Sequence, residues 1–543
     1  MHFSYIDLGG WWRTASGRVV RGEVDIYFDT RPTLMSAIMR SILAGVLVTT
    51  VFSAVPVVAQ PKPVTPNASP EAKALLAYIQ SLSGRHTLSG QHNYPNSGER
   101  NTQFAADYIG ETPVVWSQDF GFAEDGDKDS YLARPAIMQE AIRQHQKGAI
   151  VTLCWHAVPP TAEEPITFQP LPGADSTALA SVQGRLLDQQ FQDILTPGTG
   201  LHERWLRQVD EIASFLKQLQ AAHVPVLWRP YHEMNGNWFW WGGRYEGDYT
   251  TEALYRQLFD RMVNYHHLDN LIWVWSVDRP SQPGREFEKY YPGTEYLDIL
   301  ALDVYGNDFD QSYYDGLMAL SEGKPITLGE VGNPPSLEIL DAQPNWVYWV
   351  VWAGMVRGTS RADYEKLVAD PRVLFMEDPA YVEGTKAYRE ASGLAPLTID
   401  RSADFTGTWR LNEYESKVPA FGLTNTPYKL DIVQEGDALH IESASIVEWA
   451  DDEVTEQTLK LDGSDNVSSG PNNSPRVQIA DFSTARDTLT IDTRTSFSYG
   501  GREVEITSKD VWTLKRRGKQ LVIVQTTQSP RGTVESVLVY DRQ

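Results

Sequence analysis

Eight short apolar runs, set apart by stretches of helical spacing, constrain this chain more than any other feature. They occupy residues 86–91, 113–119, 149–155, 225–231, 271–276, 297–305, 325–330 and 346–352. Apolar runs of this length, without polar alternation, suit strands buried on both faces. Residues 70–80, 131–147 and 202–222 place apolar side chains three and four apart, which predicts helices between the runs. Strand–helix alternation repeated eight times predicts an α/β fold, a (β/α)8 TIM barrel. An open, doubly wound sheet is the alternative, and no Gly-rich phosphate loop supports it.

Barrel geometry places functional side chains at the carboxyl ends of the strands. The ends read here are His92, Asp119, His156, Glu233, Asp278, Tyr305, Glu330 and Trp352. The fourth run passes directly into Arg229, His232, Glu233 and Asn235, then Gly236 and four aromatics, Trp238, Phe239, Trp240 and Trp241. The seventh ends on Glu330 between Gly329 and Gly332, small neighbours that would let a substrate come close to the carboxylate. A core strand has no use for a carboxylate at its end. Cleavage of a glycosidic bond uses two, with flat aromatic faces on which a pyranose can lie. The structural alternative is a solvated Glu beside a core aromatic cluster.

The stretch 229–242, Arg-Pro-Tyr-His-Glu-Met-Asn-Gly-Asn-Trp-Phe-Trp-Trp-Gly, resembles the acid/base signature of glycoside hydrolase family 26, whose best-known members are β-mannanases. Residues 327–332, Thr-Leu-Gly-Glu-Val-Gly, resemble its nucleophile signature, and 88–92, 298–305 and the Trp352 strand also match. The resemblance spans residues 70–393. It implies a TIM barrel and a retaining double displacement, with Glu233 as general acid/base and Glu330 as nucleophile. It further implies that His232 contacts substrate and helps hold the acid. Trp238 would wall the leaving-group side, and Tyr305 would hydrogen-bond the nucleophile. His156 would bind the sugar under attack, Trp352 would lie beneath it, and Arg229 and Asp303 would support the carboxylates. The expected reaction is hydrolysis of β-1,4-mannosidic bonds. Two alternatives stay open: a relative acting on mixed-linkage β-glucan or β-1,3-xylan, and a non-catalytic sugar-binding barrel.

Asp and Glu total 71 against 47 Lys and Arg, a net charge of -24. That disfavours nucleic acid as a partner, since its binders carry basic faces; a β-mannan polysaccharide is the expected one, and oligomeric state is unknown. The 17 tryptophans are expected to line a carbohydrate cleft where they fall near strand ends. A single cysteine, Cys154, excludes an intrachain disulfide and is expected in the core. No cofactor is expected and no metal: the histidines are scattered, and the acidic loop 125–129 lacks the Gly and closing Glu of a calcium loop.

The remaining segments set the domain limits. Arg40, the apolar run 41–54 and small residues to 59 follow the order of a secretory signal peptide, with translation expected to start at Met35 or Met39. The run is short for a membrane span, so no membrane partner is expected and the chain is read as secreted. The reading is therefore 1–59 extension and signal peptide, 60–69 Pro-rich linker, 70–395 barrel, and 396–543 a smaller antiparallel all-β accessory domain. Strands are expected there at 405–411, 428–434, 438–443, 488–493, 511–515, 521–527 and 534–540, with 466–474 a polar loop.

Overall fold

The computed structural model describes residues 11–13, 19–21, 62–123, 131–175, 177–399, 402–418, 426–447, 450–470, 473–499 and 502–543. The signal-peptide reading at 41–59 and the acidic loop 125–129 lie outside the described residues. Two short strands, Trp11–Arg13 and Val19–Arg21, pair antiparallel in an amino-terminal unit of their own.

All eight runs are strands: β1 (Thr87–Leu88 and Gly90–His92), β2 (Val115–Phe120), β3 (Ile150–Trp155), β4 (Val226–Pro230), β5 (Leu271–Asp278), β6 (Ile299–Val304), β7 (Ile326–Val331) and β8 (Trp346–Val351). Each pairs in parallel with the next. β8 pairs with both β7 and β1, so the sheet closes into a barrel. Every residue of β2 to β8 is buried, which is why no polar alternation marks these strands in the sequence. The helices between them begin where side chains can accept the free N–H groups of a first turn. Ser69, Thr199, Thr250, Asp310, Ser336 and Ser360 all do so.

The tryptophans mostly do not line a cleft. Trp116, Trp155, Trp205, Trp228, Trp273, Trp275, Trp346 and Trp349 are buried in the barrel core. Large indoles fill the spaces between strands and helices, and of the barrel's tryptophans only Trp238 and Trp352 keep partial exposure.

Residues 407–542 form ten antiparallel strands rather than the seven expected. Glu453–Lys460, Asp462–Ser469 and Pro475–Phe482 escaped notice, and the expected loop 466–474 is partly strand. The first two of these are exposed along most of their length, so no buried face writes a period-two pattern into them. The meander closes through pairing of Gly407–Leu411 with Gly532–Arg542. Its two outer strands, Glu453–Lys460 and Asp462–Ser469, are joined by Leu461 and bridged by Asn466, whose amide accepts from Lys460 N at 2.8 Å and donates to Lys460 O at 3.2 Å. One interior cluster, including Trp409, Ile432, Ile441, Leu459, Leu489, Trp512 and Tyr540, draws on nearly every strand. Lys519 Nζ reaches Asp107 of the barrel at 2.8 Å, and Arg516 reaches Glu365 at 3.4 Å.

Candidate active site

The site begins where β4 stops. Tyr231 and Glu233 both take φ near 50°, the left-handed region that costs a non-glycine residue about 1 kcal/mol or more. Surrounding contacts hold the turn. Trp205 Nε1 donates to the Tyr231 hydroxyl at 2.9 Å. Asn235 accepts from Asp278 N at 2.7 Å and donates to Asp278 O at 2.6 Å, tying the turn to the end of β5. Trp241 Nε1 donates to His232 O at 2.9 Å, and Trp240 Nε1 to Ala157 O at 2.7 Å. Phe239, Trp240 and Trp241 are therefore buried backing for the turn. Trp238 alone of the four faces the cleft.

Trp238 folds back over Gly236. A Cβ at Gly236 would sit 2.4 Å from the indole ring, so this position tolerates no side chain while the ring stays put. The indole N–H then donates to Glu233 Oε2 at 2.6 Å, and the Arg285 guanidinium lies 4.9 Å from the ring centre. His232 had been expected to help hold the acid. It turns the other way, with Nε2 3.8 Å from Glu330 Oε1 and its ring edge-on to His156 at 4.4 Å.

Glu330 is buried at the end of β7. Tyr305 donates its hydroxyl to Glu330 Oε2 at 2.8 Å, and Arg229 Nη2 donates to Glu330 Oε1. The same guanidinium uses Nη1 on Asp303 Oδ2 at 3.0 Å and on Ser276 Oγ at 3.2 Å. Gly329 makes room for this network rather than for substrate: a Cβ there would stand 2.7 Å from Asp303 Oδ1 and 3.2 Å from Arg229 Cδ.

One carboxylate oxygen each from Glu233, Asp303 and Glu330 lies within 4.8 Å of the others. Burial, then the charges of Glu330, Asp303 and Asp278, raise the Glu233 carboxyl well above its usual range; the Trp238 bond pulls the other way. Burial would lower the Arg229 pKa, but Asp303 and Glu330 outweigh it and hold the guanidinium charged. Burial and nearby cationic groups keep His92 and His232 neutral. The cluster of three carboxylates would suit a cation, and Arg229 already supplies one between two of its members. The second close cluster, Asp119, Cys154 and His156, is spent internally: His156 Nδ1 meets Asp119 Oδ2 at 2.5 Å, and burial pushes the Cys154 thiol up, away from a ligating thiolate.

The structure thus brings Arg229, His232, Glu233, Trp238, Asp303, Tyr305 and Glu330 to one barrel mouth. His156 and Trp352 border it, their ring centres 6.3 Å apart. Sequence reasoning read His92 only as a strand end. Its ring stacks on Trp352 at 3.7 Å and 10°, fixing that indole's attitude. It also missed Phe168, from the long loop after His156, which packs edge-on to His156 at 5.8 Å.

Comparison with known proteins fits this mouth. The profile of glycosyl hydrolase family 26 matches residues 64–376. The solved structure of GH26A from Muricauda sp. is 41% identical, with a TM-score of 0.53, and the match covers 57% of this chain and 98% of that one. A mannan endo-1,4-β-mannosidase of Thermothelomyces thermophilus is 33% identical over 305 residues, 53% of this chain and 56% of the relative. The Bacillus subtilis protein of that name is 28% identical over 322 residues, 53% of this chain and 82% of the relative. The chain spans about half the length of the Thermothelomyces relative and of a Piromyces mannanase, of which 45% is matched. A profile match over more than half its residues places the chain in glycosyl hydrolase family 26.

Proposed function

We propose that the barrel cleaves β-1,4-mannosidic bonds within mannan, galactomannan or glucomannan by a retaining double displacement. The observation that supports the mechanism is the convergence of Glu233 and Glu330 on one barrel mouth, where an oxygen of each comes within 4.8 Å of the other, an approach compatible with the closer-set pair of a retaining enzyme. Retaining glycosidases hold their two carboxyl groups about 5–5.5 Å apart, whereas inverting enzymes leave about 6.5–9.5 Å for a water. The polymer is taken from the matched relatives, which are named mannan endo-1,4-β-mannosidase.

In the first step a Glu330 oxygen attacks the anomeric carbon while Glu233 gives its proton to the departing glycosidic oxygen. In the second, Glu233 takes a proton from water, the water oxygen attacks the anomeric carbon, and the Glu330 carboxylate leaves. Arg229 and Tyr305 aim Glu330. His156 and His232 offer hydrogen bonds to the attacked sugar, Trp352 a platform beneath it, and Trp238 a wall on the leaving-group side.

Reducing-end release from galactomannan, lichenan and β-1,3-xylan tests the substrate, and proton NMR of the first-formed anomer tests the stereochemistry. Release from galactomannan with retained β configuration is expected. An α first product sinks the mechanism, and hydrolysis of lichenan or xylan alone sinks the polymer. Glu330→Ala should abolish turnover. Azide should partly rescue Glu233→Ala on an activated aryl glycoside. Export belongs to the same proposal and rests on residues 41–59; a mature chain that keeps Arg40 would refute it.

A further inference from the structure

Three strand ends meet on one side of the barrel mouth. Gly332 N donates to Val304 O at 3.1 Å and Trp352 N to Val331 O at 2.9 Å, so Tyr305, Gly332 and Trp352 leave β6, β7 and β8 side by side. Past Trp352 the chain turns at Ala353, whose φ of 43° lies in the left-handed region. Gln91 Nε2 donates to Ala353 O at 2.6 Å and Met355 N to Trp352 O at 2.9 Å, which fixes the turn. Met355 is thereby laid over Gly332. A Cβ at Gly332 would stand 3.1 Å from Met355 Cε, 3.3 Å from Tyr305 Cδ1 and 4.0 Å from Met355 Sδ, so thioether and phenol ring flank the same bare stretch of backbone. Tyr305 in turn donates to Glu330 Oε2 at 2.8 Å. Met355 thus lies next to the partner of the candidate nucleophile, and it is 42% exposed.

Exposure sets this sulfur apart. Met138, Met234, Met262 and Met376 are buried, and the Met234 sulfur already accepts from Trp275 Nε1 at 2.9 Å. Met318 is half-buried near the carboxyl end of the helix Gln311–Leu320, which runs back from the mouth toward the opposite end of the barrel. Cys154 is buried as a thiol, not a thiolate. Among the described residues Met355 is therefore the only exposed sulfur, and it stands at the candidate site. An unbranched thioether adapts its shape to irregular apolar surface, such as the CH groups on a pyranose.

We infer that Met355 is an apolar lip of the sugar cleft on the Tyr305 side, and the residue through which a hydroperoxide weakens substrate binding. The sulfur attacks one oxygen of hydrogen peroxide as the O–O bond breaks. The proton on that oxygen passes to the departing hydroxide, so a sulfoxide and a water are formed. Sulfur is oxidised by two electrons and the peroxide is reduced by two. The sulfoxide is polar, so the lip no longer packs against sugar CH groups and holds water instead. The Tyr305 hydroxyl stays on Glu330, so binding suffers and the chemical step does not: KM rises at constant kcat. That the sugar is a β-mannan rests on the function proposed above; the place of oxidation does not.

The test treats the full chain with hydrogen peroxide and follows each methionine by peptide mass. Met355 is expected to gain one oxygen before Met138, Met234, Met262, Met318 and Met376. Mannohexaose bound to Glu330→Gln, which does not consume it, should slow that oxidation severalfold. Each protein's kinetics are compared before and after treatment. In the wild-type chain KM for soluble galactomannan should rise about fourfold, the value of one buried methylene, in step with the Met355 sulfoxide. Met355→Leu should hold its own KM through treatment, and Met318→Leu should lose affinity as the wild type does. Oxidation of another of these methionines as fast as Met355, no slowing by bound sugar, or a KM that ignores the sulfoxide overturns the inference. So does a KM rise that persists in Met355→Leu. Failure of the mannanase reading registers separately, as an untreated chain that cuts only lichenan or β-1,3-xylan; the same comparison then runs on that polymer and its hexasaccharide. A chain that cuts none of the three sinks the function and leaves the place of oxidation readable by mass.

Discussion

Replacing Trp238 by Phe removes one hydrogen atom's worth of chemistry from the candidate acid and keeps the aromatic wall. The indole N–H can only donate, and it donates to Glu233 Oε2 at 2.6 Å. A donor favours the carboxylate over the carboxylic acid, so it holds the Glu233 pKa down against burial and the neighbouring carboxylates. A hydrogen bond to a charged group contributes about 1.5–3 kcal/mol, and a pKa unit is about 1.4 kcal/mol. The protonated acid keeps a carbonyl oxygen that still accepts, so only part of the bond is differential. The expected rise is therefore about one unit. In the kcat/KM profile the basic limb reports loss of the proton from the free enzyme's acid. Trp238→Phe should move that limb about one unit to the alkaline side and leave the acidic limb in place. Its poorer platform will also raise KM, but a uniform loss of binding changes the height of the profile and not its midpoint. A basic midpoint that stays put, or moves to lower pH, refutes the assignment of this bond to the acid.

Gly236→Ala places a methyl 2.4 Å from the indole and should displace it, reproducing the alkaline shift. The double variant with Trp238→Phe should then show little more than either change alone, checked by the same profiles. Tyr305→Phe deletes the 2.8 Å donation to Glu330 and should lower kcat roughly 10–100-fold with KM little changed, measured on a soluble mannan. Glu233→Gln should inactivate the enzyme and stabilise it. The folded pKa of Glu233 is raised above its ordinary 4.5, so the native state holds the proton longer than the unfolded chain does. Its contribution falls by up to about 1.4 kcal/mol per unit as pH climbs from 4.5 through the folded pKa. Melting temperatures of the variant should exceed wild type at pH 7 and converge with it near pH 4; equal gains at both would remove the linkage.

What could be read in advance follows from which forces leave a local trace. The eight barrel strands were legible because burial on both faces writes an uninterrupted apolar run. Glu233 and Glu330 were legible because a carboxylate at the end of such a run has no structural use. The rest depends on side chains that meet only in the fold. His92 and Trp352 stack at 3.7 Å from opposite ends of the barrel sequence. His232 was assigned to the acid by the family resemblance. The left-handed turn at Tyr231 and Glu233 reverses that relation and points its imidazole at Glu330. Tryptophan abundance misled for a related reason: an indole packs a core as readily as it carries a sugar, and only Trp238 and Trp352 are left partly open. In the β domain, strands exposed along both faces carry no periodic signature at all.

In the proposed mechanism the same network serves two opposite tasks of Glu233. Before cleavage, Glu330 is one of the charges that keep Glu233 protonated. Formation of the glycosyl ester consumes that charge, so the strongest electrostatic reason for Glu233 to hold a proton vanishes at the moment it has given one away. Arg229 does not then become an unbalanced cation, because Nη1 remains paired with Asp303 at 3.0 Å. The Trp238 N–H, which favours the anion, is left less opposed, and Glu233 is set to take a proton from water. Removing Asp303's charge should therefore harm the second step more than the first. With Asp303→Asn, nothing balances Arg229 once Glu330 is esterified, and the bare guanidinium together with the loss of Asp303's charge makes Glu233 a weaker base toward water. On an activated aryl glycoside, whose departure needs no acid, pre-steady-state release of the aryl group should stay close to wild type while the steady-state rate falls. Equal losses in both phases would mean that Asp303 acts on geometry alone.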